Sequence, residues 1–540
     1  MRTHEARASY FVDEKIVREP DYLAGGNGCP MAASQPAQPA GCPAFKFGFM
    51  FDKPRQVRGA VPPPIDALVD LGNLMNHDSR HHRKTDSFIP SGYTYLGQFI
   101  AHEITFDNSE VLPDDEPDPQ LARSPSIDLD SLYGANRKEV QTQRQYNGPL
   151  LRVGTTDPTI SSNPDTKLKT FENDLPRDET GQALIGDKRN DENLAVAQVN
   201  VALIKFHNKV VESIKTAGED EDSLFERARE QVVKHFQWVV LRDYLPKVVD
   251  NKILDEVEND VRNNGVAWLK DRAGAEKNLF MPLEFSAAAF RLGHSMVREK
   301  YQWNVYHSTE LGGAASGASL SQLFDQTNFS GGIGPSPNSP QLRSEWVIDW
   351  RRFFRFPAKL GYETPPTDAP GTYDGANVAK KIDTNFDFHL NKIAGFDHAN
   401  LPPSKRSITV RNLLRGHALG LPSGEEVADA MGIERLDQAT IAGGRYQAII
   451  NKHFQGQTPL WFYILKEAEV TDHDHLGPLG SRIVASVLLG IIKKSKYSIL
   501  NDRNWYPEYT ERGEPKTESA EFGMVDLLHF AGVVNPLQAR

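Results

Sequence analysis

The sequence predicts a mainly α-helical protein that folds as a single large domain. Apolar residues recur at three- and four-residue spacing in many separate segments, which is the spacing of one face of a helix. The chain shows neither an internal repeat nor the strand–helix alternation that predicts a parallel sheet. We therefore expect an extended N-terminal arm over residues 1–60 and one domain over residues 61–540.

The first half of the chain predicts an arm, a loop and four helices. Residues 1–60 are rich in Gly, Pro and Ala and lack a periodic pattern, which is typical of an extended segment. Helical spacing begins in IDALVDLGNLM, and the acidic, Pro-rich residues 108–126 predict a loop. Residues 193–245 predict two long helices, and LEFSAAAFRLGHSMVREKY predicts another.

The second half predicts a surface excursion followed by further helices. Residues 308–343 are rich in Gly, Ser and Pro and predict the excursion. SITVRNLLRGHALGLP predicts a helix that ends at Gly420 and Pro422, and GEEVADAMG and TPLWFYILKEAEV predict two more. The longest apolar run, residues 483–492, is half the length of a membrane span and predicts a buried helix.

Composition and charge narrow the function classes. The net charge of -11 argues against a broad nucleic-acid-binding face, which needs basic residues to neutralise phosphates. Only Cys29 and Cys42 occur, so no disulfide framework is expected, although one local bridge between them stays open. The N-terminus lacks the apolar segment of a signal peptide. We expect a cytoplasmic protein without a transmembrane segment, with signal-independent release still possible.

Four pairs of polar residues stand three or four positions apart in or beside apolar helical segments, so each pair shares a helix face. Taken singly, each pair has an ordinary structural interpretation: a core histidine, a surface ion pair, a helix cap or a solvated arginine. When such polar groups are buried, they need hydrogen-bond partners or a ligand. The pairs are Gln98 and His102, Arg189 and Glu192, Arg291 and His294, and Asn412 and Arg415.

Together and in this order, the motifs GQFIAHE, SPSIDLDSLYG, RNDENL…FHN, FRLGH and NLLRGHALGLP resemble the animal-type haem peroxidase family of the peroxidase–cyclooxygenase superfamily, in its shorter bacterial branch. The resemblance covers roughly residues 60–535. It implies a helical fold around a central haem b. It also implies an enzyme that reduces H2O2 and oxidises a small donor through an oxoferryl intermediate, with a role in the response to oxidative stress.

On the distal side, the resemblance assigns catalytic roles to His102, Gln98 and Arg189. His102 corresponds to the distal histidine, whose imidazole can take and return a proton near neutral pH. Gln98 corresponds to the distal glutamine, which can hydrogen-bond water or an anion. Arg189 corresponds to the distal arginine, whose fixed positive charge can stabilise the charge that develops as the O–O bond breaks.

On the proximal side, the resemblance assigns residues that bind the haem. His294 corresponds to the fifth ligand of the iron, and Asn412 to the asparagine that accepts the N–H of that imidazole and so orients it. Arg291 and Arg415 correspond to arginines that hold haem propionates, for which a guanidinium group is well suited.

The resemblance also implies a calcium site in SPSIDLDSLYG, next to the distal helix. Hard oxygen ligands suit Ca2+, and the alternative is an ordinary acidic turn. Glu103 stands where the family usually has aspartate. The ligands would be side-chain oxygens of Ser124, Asp128 and Asp130, the carbonyl oxygen of Ser126 and the carboxylate of Glu103.

Departures from the mammalian pattern concern covalent haem attachment. Ala101 stands at the position of the aspartate that forms one ester, and Asn193 at the position of the methionine that forms a sulfonium bond. Only Glu192 could form an ester, so we expect at most one ester and non-covalent haem as the simplest case. Production of hypochlorous acid is therefore doubtful, and the expected donors are iodide, thiocyanate, bromide or phenols.

Three other functions compete with the peroxidase. A haem fatty-acid dioxygenase or cyclooxygenase-like oxygenase is the main alternative, but the radical-forming tyrosine of those enzymes is replaced by Arg291. A zinc hydrolase is disfavoured because Phe106 stands where H-E-x-x-H requires a second histidine. A scaffold without haem would be colourless. The sequence does not reveal the physiological donor or the oligomeric state.

Overall fold

The computed structural model describes residues 46–51, 63–77, 86–106, 124–134, 137, 143–160, 163–266, 280–310, 317–330, 332–333, 340–366, 369–387, 407–471, 474–508 and 521–538. The fold is mainly α-helical and forms one domain, as the sequence predicts. The longer helices are Ile65–Met75, Gly92–Ile104, Leu194–Ile214, Glu221–Val239, Asn251–Asn264, Ile408–Ala418, Leu460–Thr471 and Pro478–Lys494.

Short helical pieces connect these long helices. The short α-helices are Asp130–Tyr133, Leu245–Val248, Leu283–Ser286, Gly293–Met296, Leu320–Asp325, Gly424–Ala430, Gln438–Ile441, Gln447–His453 and Met524–Phe530. The 3-10 turns are Lys188–Asp191, Ala289–Leu292, Ser344–Trp346, Trp350–Arg352, Ala358–Leu360, Gly444–Tyr446 and Pro536–Gln538, and Val240–Tyr244 is a π-helical segment.

The strands are short, with two to five residues each. Lys46–Gly48 pairs in parallel with Phe280–Pro282, and Asn76–His77 with Phe386–Asp387. Ala376–Lys380 is the central strand of the one three-stranded sheet in the described ranges, between Asp86–Pro90 and Thr372–Tyr373. The antiparallel two-stranded pairs are Tyr146–Asn147 with Leu150–Leu151, Thr159–Ile160 with Asn163–Lys167, and Lys300–Tyr301 with Ala318–Ser319.

The helices that carry the candidate site are fixed by close contacts. Gly72, on Ile65–Met75, lies so near Ile408–Ala418 that an added Cβ would stand 2.7 Å from Val410 Cγ2. At the start of Gly92–Ile104, the amide of Gly92 donates to the carbonyl of Phe353. Because these contacts leave little freedom to move, the polar residues on Ile408–Ala418 and Gly92–Ile104 have defined positions.

Most predicted helices are confirmed. Residues 193–245 form the long helices Leu194–Ile214 and Glu221–Val239, and the apolar run 483–492 lies buried within Pro478–Lys494. The helix over NLLRGHA ends before Gly420, which has a positive φ of 64°, a conformation that glycine adopts without strain. Among the described residues, no helix is both long and apolar enough to cross a membrane.

The continuous helix predicted over LEFSAAAFRLGHSMVREKY is wrong. The segment is broken into Leu283–Ser286, the 3-10 turn Ala289–Leu292 and Gly293–Met296. The break falls at Ala288, whose φ of -132° and ψ of -77° are not helical. Helical periodicity alone cannot show such a break, because the side chains on both sides of it remain buried.

The described part of the predicted arm is residues 46–51. Its strand Lys46–Gly48 pairs with Phe280–Pro282, and the amide of Met50 donates to both carboxylate oxygens of Glu284 at 3.0 and 2.9 Å. Residues 46–50 therefore pack against the start of the broken segment. Cys29 and Cys42, with the rest of residues 1–45, lie outside the described residues.

Candidate functional site

One cavity brings together six of the residues that the sequence analysis singled out for haem binding and catalysis. It is lined by residues of the helix Gly92–Ile104, of the broken segment 283–297 and of the turn before Leu194–Ile214. Tyr244, at the end of the π-helical segment, also lines it. The predicted site residues on its wall are Gln98, Ala101, His102, Glu192, Arg291 and His294.

The ring of His102 is held by a residue that sequence reasoning missed. Its Nδ1 lies 2.9 Å from Oδ1 of Asn190, and Nδ2 of Asn190 donates to Oδ1 of Asn200 at 3.0 Å. An amide oxygen only accepts, so in this arrangement Nδ1 carries the hydrogen and Nε2 carries the lone pair. Asn190 stands 88 residues from His102, and no sequence signal relates the two side chains.

Gln98, Glu192 and Asn193 form a hydrogen-bonded chain beside His102. Nδ2 of Asn193 donates to Oε1 of Gln98 at 2.9 Å, and Nε2 of Gln98 donates to Oε2 of Glu192 at 3.1 Å. The same Oε2 lies 3.7 Å from Nε2 of His102. Asn193 also caps the helix Leu194–Ile214 through Oδ1. These contacts place a carboxylate and an amide next to the imidazole.

Arg189 lies behind His102, and the described lining of the cavity does not include it. Its Nη2 donates to the backbone carbonyls of His102 and Thr105 at 2.8 and 2.7 Å, and its guanidinium pairs with Asp187. The ring of Phe106 lies 4.5 Å from its Cζ. The guanidinium thus holds the C-terminal end of Gly92–Ile104, and the distal role implied by the resemblance stays a prediction.

His294 is held by Asn412, as the sequence analysis expects. Nδ1 of His294 lies 2.9 Å from Nδ2 of Asn412. The two ends of an amide are nearly identical in shape. A rotation of the amide by 180° puts Oδ1 at this position, where it accepts from Nδ1–H and leaves Nε2 to bind a metal. Burial and then the charge of Arg291 lower the pKa of His294 to about 3, which keeps the imidazole neutral.

The two predicted propionate-binding arginines have different surroundings. Arg291 lines the cavity, and its Nε donates to the carbonyl of Ser286 at 3.0 Å. Arg415 is half-buried on Ile408–Ala418, one turn beyond Asn412, and is not part of the described cavity wall. The assignment of Arg415 to a propionate remains a prediction.

The acidic loop next to the distal helix is held through its backbone amides, which donate to Glu103, one of the predicted calcium ligands. The carboxylate of Glu103 accepts from the amides of Asp128, Asp130 and Ser131 at 3.3, 3.0 and 2.9 Å. Nη2 of Arg229 lies 3.5 Å from Oδ1 of Asp130. A loop that turns successive N–H groups toward one point binds an anion, whereas Ca2+ needs converging oxygens.

Two further observations bear on this loop. Burial, then the charges of Asp130 and Glu103, raise the pKa of Asp128 well above its usual range. Ser126 bonds through Oγ to Ser495 at 2.7 Å. Within the described ranges, which include Ser124 and the other predicted ligands, no three acidic, histidine or cysteine side chains are arranged to hold a metal ion.

The residues around the cavity fit a haem. A haem needs one protein ligand for its iron, commonly a neutral imidazole, because the porphyrin supplies the others. His294 offers that ligand, and Arg291 offers a cation on the same wall. The apolar side chains of Phe290, Met296 and Val297 line the cavity beside them.

Comparison with known proteins agrees with this interpretation. Residues 117–330 match the family model described as animal haem peroxidase. The match covers less than half of the chain. Arg189, Glu192, Arg291 and His294 lie within the matched segment. His102 and Asn412 lie outside it, and the fold brings His102 to the cavity wall and Asn412 to the ring of His294.

Curated proteins that are similar to this chain include two animal peroxidases. The chain is 25% identical to Heme peroxidase 2 from Caenorhabditis elegans over 271 residues, which cover 41% of the chain and 37% of the relative. It is 23% identical to the chorion peroxidase from Drosophila melanogaster over 227 residues, which cover 39% of the chain and 27% of the relative. The matches therefore span about a third of each relative's length.

Solved structures share this fold over most of the chain. Peroxidase A from Dictyostelium discoideum superposes with a TM-score of 0.54 at 15% identity, covering 85% of this chain and 90% of that protein. The fatty acid alpha-dioxygenase from Oryza sativa superposes with a TM-score of 0.53 at 12% identity, covering 88% and 78%. At these identities the likeness shows the fold alone.

Proposed function

We propose that this protein is a haem peroxidase that reduces H2O2 and oxidises small donors. The observation that carries the proposal is the pairing of two imidazoles on one cavity. His102 and His294 both line it, and each has one ring nitrogen next to an asparagine amide, from Asn190 and Asn412 respectively. Each ring therefore keeps its Nε2 for chemistry at the cavity.

On one wall, His294 would hold the iron, with Asn412 fixing the ring and Arg291 pairing with a propionate. Arg415 would pair with the second propionate. Bound haem would supply a redox-active iron that exchanges electrons with peroxide and with the donor. The neutral state of His294 supports this role, because a protonated imidazole cannot bind a metal.

On the other wall, His102 would move the proton. With its Nδ1–H held by Asn190, Nε2 can accept a proton from peroxide in the cavity and return it to the departing oxygen, which leaves as water. Gln98 and Glu192 stand beside this nitrogen and can hydrogen-bond the peroxide or the water. Preorganised groups of this kind need no rearrangement during the reaction.

Arg189 would contribute through position rather than through contact. Its guanidinium donates to the carbonyls of His102 and Thr105, so it fixes the backbone that carries the imidazole. A misplacement of about 1 Å at a reacting group can cost on the order of 100-fold in rate. We therefore assign Arg189 a positioning role, in place of the direct charge stabilisation that the resemblance implies.

The donor class follows from the residues around the haem position. Ala101 and Asn193 line the cavity and cannot form the ester and sulfonium bonds of mammalian members, so Glu192 is the one described candidate for an ester. With at most one such bond, we expect oxidation of iodide, thiocyanate, bromide or phenols, and little oxidation of chloride. The electron donor in the cell is left open.

A fatty-acid oxygenase is the second candidate. One observation favours it, namely that Tyr93, Tyr95 and Tyr244 line the same cavity and could carry a radical. The residue three positions before His294 is Arg291, however, so the tyrosine used by that class is missing from its usual place. In addition, the hydroxyl group of Tyr93 donates a 2.5 Å hydrogen bond to Oδ1 of Asp243. We therefore favour the peroxidase.

The deciding experiment measures haem content and turnover together. Purified protein, reconstituted with haem if necessary, should show a Soret band that shifts on addition of H2O2 and should turn over iodide or a phenol. His294→Ala should lose the haem, and the matched variant His453→Ala, on a helix away from the described cavity wall, should keep it.

Other outcomes would contradict the proposal. A haem-loaded protein that takes up O2 with palmitic acid, and does not turn over H2O2 with any donor, would establish the oxygenase instead. A colourless protein that cannot be reconstituted would exclude both functions.

A further inference from the structure

We propose that Asn190 is a positioning residue that sets the tautomer and ring orientation of His102. This inference rests on the proposed function, in which His102 is the base of the cavity. Oδ1 of Asn190 lies 2.9 Å from Nδ1 of His102, and both side chains are buried. A base acts efficiently only if its lone pair points at the proton that it accepts, and this contact decides which ring nitrogen carries the lone pair.

Asn190 is itself held on two sides. It stands in the 3-10 turn Lys188–Asp191, where its backbone amide donates to the carbonyl of Asp187 at 3.0 Å. Its side-chain Nδ2 donates to Oδ1 of Asn200, which is fully buried on the helix Leu194–Ile214. The amide therefore joins His102 to the longest helix of the described structure, and its plane cannot turn without breaking a buried hydrogen bond.

The direction of the two hydrogen bonds is coupled. Nδ2 of Asn200 has no hydrogen-bond partner among the described residues. Turning both amides by 180° would exchange donors and acceptors along the chain from Asn200 to His102. In the orientation that the two amides have here, His102 donates, and a substitution that removes one of the two directions tests this orientation.

A neutral amide suits a base better than a carboxylate at this place. Several described charged groups lie around His102. Glu192 lies 3.7 Å from its Nε2, and Arg189 donates to its carbonyl oxygen. Glu103 follows it in the chain, and Arg291 lies on the cavity wall. The carboxylate of Glu103 is directed to the loop amides 128, 130 and 131. Asn190 fixes the ring without adding a charge to this set.

The test compares reactions that need a base with one that does not. H2O2 and HCN each give up a proton on binding to ferric haem, whereas CO binds to ferrous haem without a proton transfer. In haem-loaded Asn190→Ala we expect the association rates of H2O2 and HCN to fall at least about tenfold, a part of the 10²–10⁴ that a placed base contributes. The association rate of CO should stay unchanged.

A conservative variant should restore the rates. In Asn190→Asp the carboxylate can only accept, from Nδ1–H of His102 and, once Asn200 turns its amide, from Nδ2 of Asn200. At pH 9 we expect its H2O2 and HCN rates to lie within about threefold of wild type. If Asn190→Ala does not fold, Asn190→Ser provides the same comparison, because its shorter side chain does not reach the ring.

The matched control is Asn208→Ala. Asn208 lies on the helix Leu194–Ile214, which also carries Asn200. Its Oδ1 accepts from the amide of Leu151 and its Nδ2 donates to the carbonyl of Leu151, both at 2.8 Å. This variant should lose stability and leave all three association rates unchanged. Haem content and circular dichroism are measured for each variant.

The outcomes separate this inference from the proposed function. If Asn190→Ala slows all three ligands equally, or none, or if Asn190→Asp is as slow as Asn190→Ala, then Asn190 does not position His102. If the protein binds HCN with the expected dependence on Asn190 but never turns over H2O2, the inference stands and the peroxidase proposal fails. A chain that binds no haem overturns both.

Discussion

At the scale of single residues, the site is built from two histidines that each rely on an asparagine. Nδ1 of His102 lies 2.9 Å from an atom of Asn190, and Nδ1 of His294 lies 2.9 Å from an atom of Asn412. An amide fixes a ring through one nitrogen and adds no charge, so the other nitrogen keeps the basicity of a neutral imidazole. One ring would thereby serve as a base and the other as a metal ligand.

The role of His102 as the base predicts a selective loss. We expect His102→Gln to lower the second-order rate with H2O2 by about 10²–10⁴-fold, the usual contribution of a placed base, because glutamine cannot accept a proton near neutral pH. Stopped-flow absorbance of the haem-loaded protein measures this rate. His453→Gln is the control. A rate within threefold of wild type would show that another group moves the proton.

The contacts of Arg189 predict an effect on folding. Arg189→Met leaves Asp187 buried, at 1% exposure of its side chain, without this cation. We expect the free energy of unfolding to fall by about 3–5 kcal/mol, measured by urea titration. Arg351→Met is the matched control and should cost less, because Arg352 also pairs with Asp349. Unchanged stability with lost peroxide reactivity would instead favour a direct distal role for Arg189.

At the scale of elements, the helix Gly92–Ile104 is held at both ends by other parts of the chain. The carbonyl of Phe353 accepts from Gly92 at its start, and Arg189 and the acidic loop hold its end. The loop is bound through Glu103, beside His102, and contains Leu129 in the left-handed region at a φ of 62°. This strained turn directs the loop amides toward the carboxylate.

The binding of this loop by Glu103 predicts independence from calcium. We expect EDTA to leave the melting temperature unchanged, and Glu103→Gln to lower the free energy of unfolding by about 2 kcal/mol, because hydrogen bonds to a charged acceptor weaken. Differential scanning fluorimetry with and without chelator measures the first effect, and urea titration the second. A melting temperature that falls with EDTA and recovers with Ca2+, together with one calcium per chain by elemental analysis, would restore the calcium site that the resemblance implies.

At the scale of the whole molecule, the sequence was sufficient for most of the helices and for the residue pairs that share a face on them. Gln98 and His102 share a face because four residues make about one helical turn, and the same holds for Asn412 and Arg415. The structure brings Gln98 and His102 to the cavity with His294, as expected. These predictions depend on local spacing, which a single sequence carries.

The parts that were missed depend on distant contacts. No periodicity reveals that the segment around Ala288 breaks, or that Asn190 meets His102 across 88 residues. The orientation of Arg189 is set by Asp187 and by two backbone carbonyls, all of them buried. Such contacts arise only when the tertiary fold brings separate segments together, so spacing along the chain does not contain them.

Buried titratable groups far from the cavity have opposing effects on the stability of the whole protein. Burial lowers the pKa of His207 and His235 to about 4, so the unfolded chain takes up protons below about pH 6.5 that the folded chain cannot. This lowers stability as the pH falls. Burial raises the pKa of Glu467 and Asp383 to about 7, so the folded state keeps protons that the unfolded state has released above about pH 4.5, which raises stability as the pH falls.

Because the two histidines and the two carboxyl groups change stability in opposite directions, the removal of one carboxyl group should change how stability depends on pH. Glu467 accepts from the amides of Leu479 and Gly480 at the start of Pro478–Lys494, and Glu467→Gln resembles its protonated form while removing its titration. The free energy of unfolding of this variant should fall more steeply than that of wild type as the pH drops from about 6.5 to 4.5, by about 1 kcal/mol per pH unit. Urea titrations at several pH values measure both slopes, with the exposed Glu434→Gln as control. Equal slopes for wild type and Glu467→Gln would mean that Glu467 is ionised in the folded protein throughout this range, and that its carboxylate is stabilised by the two amides more than burial opposes it.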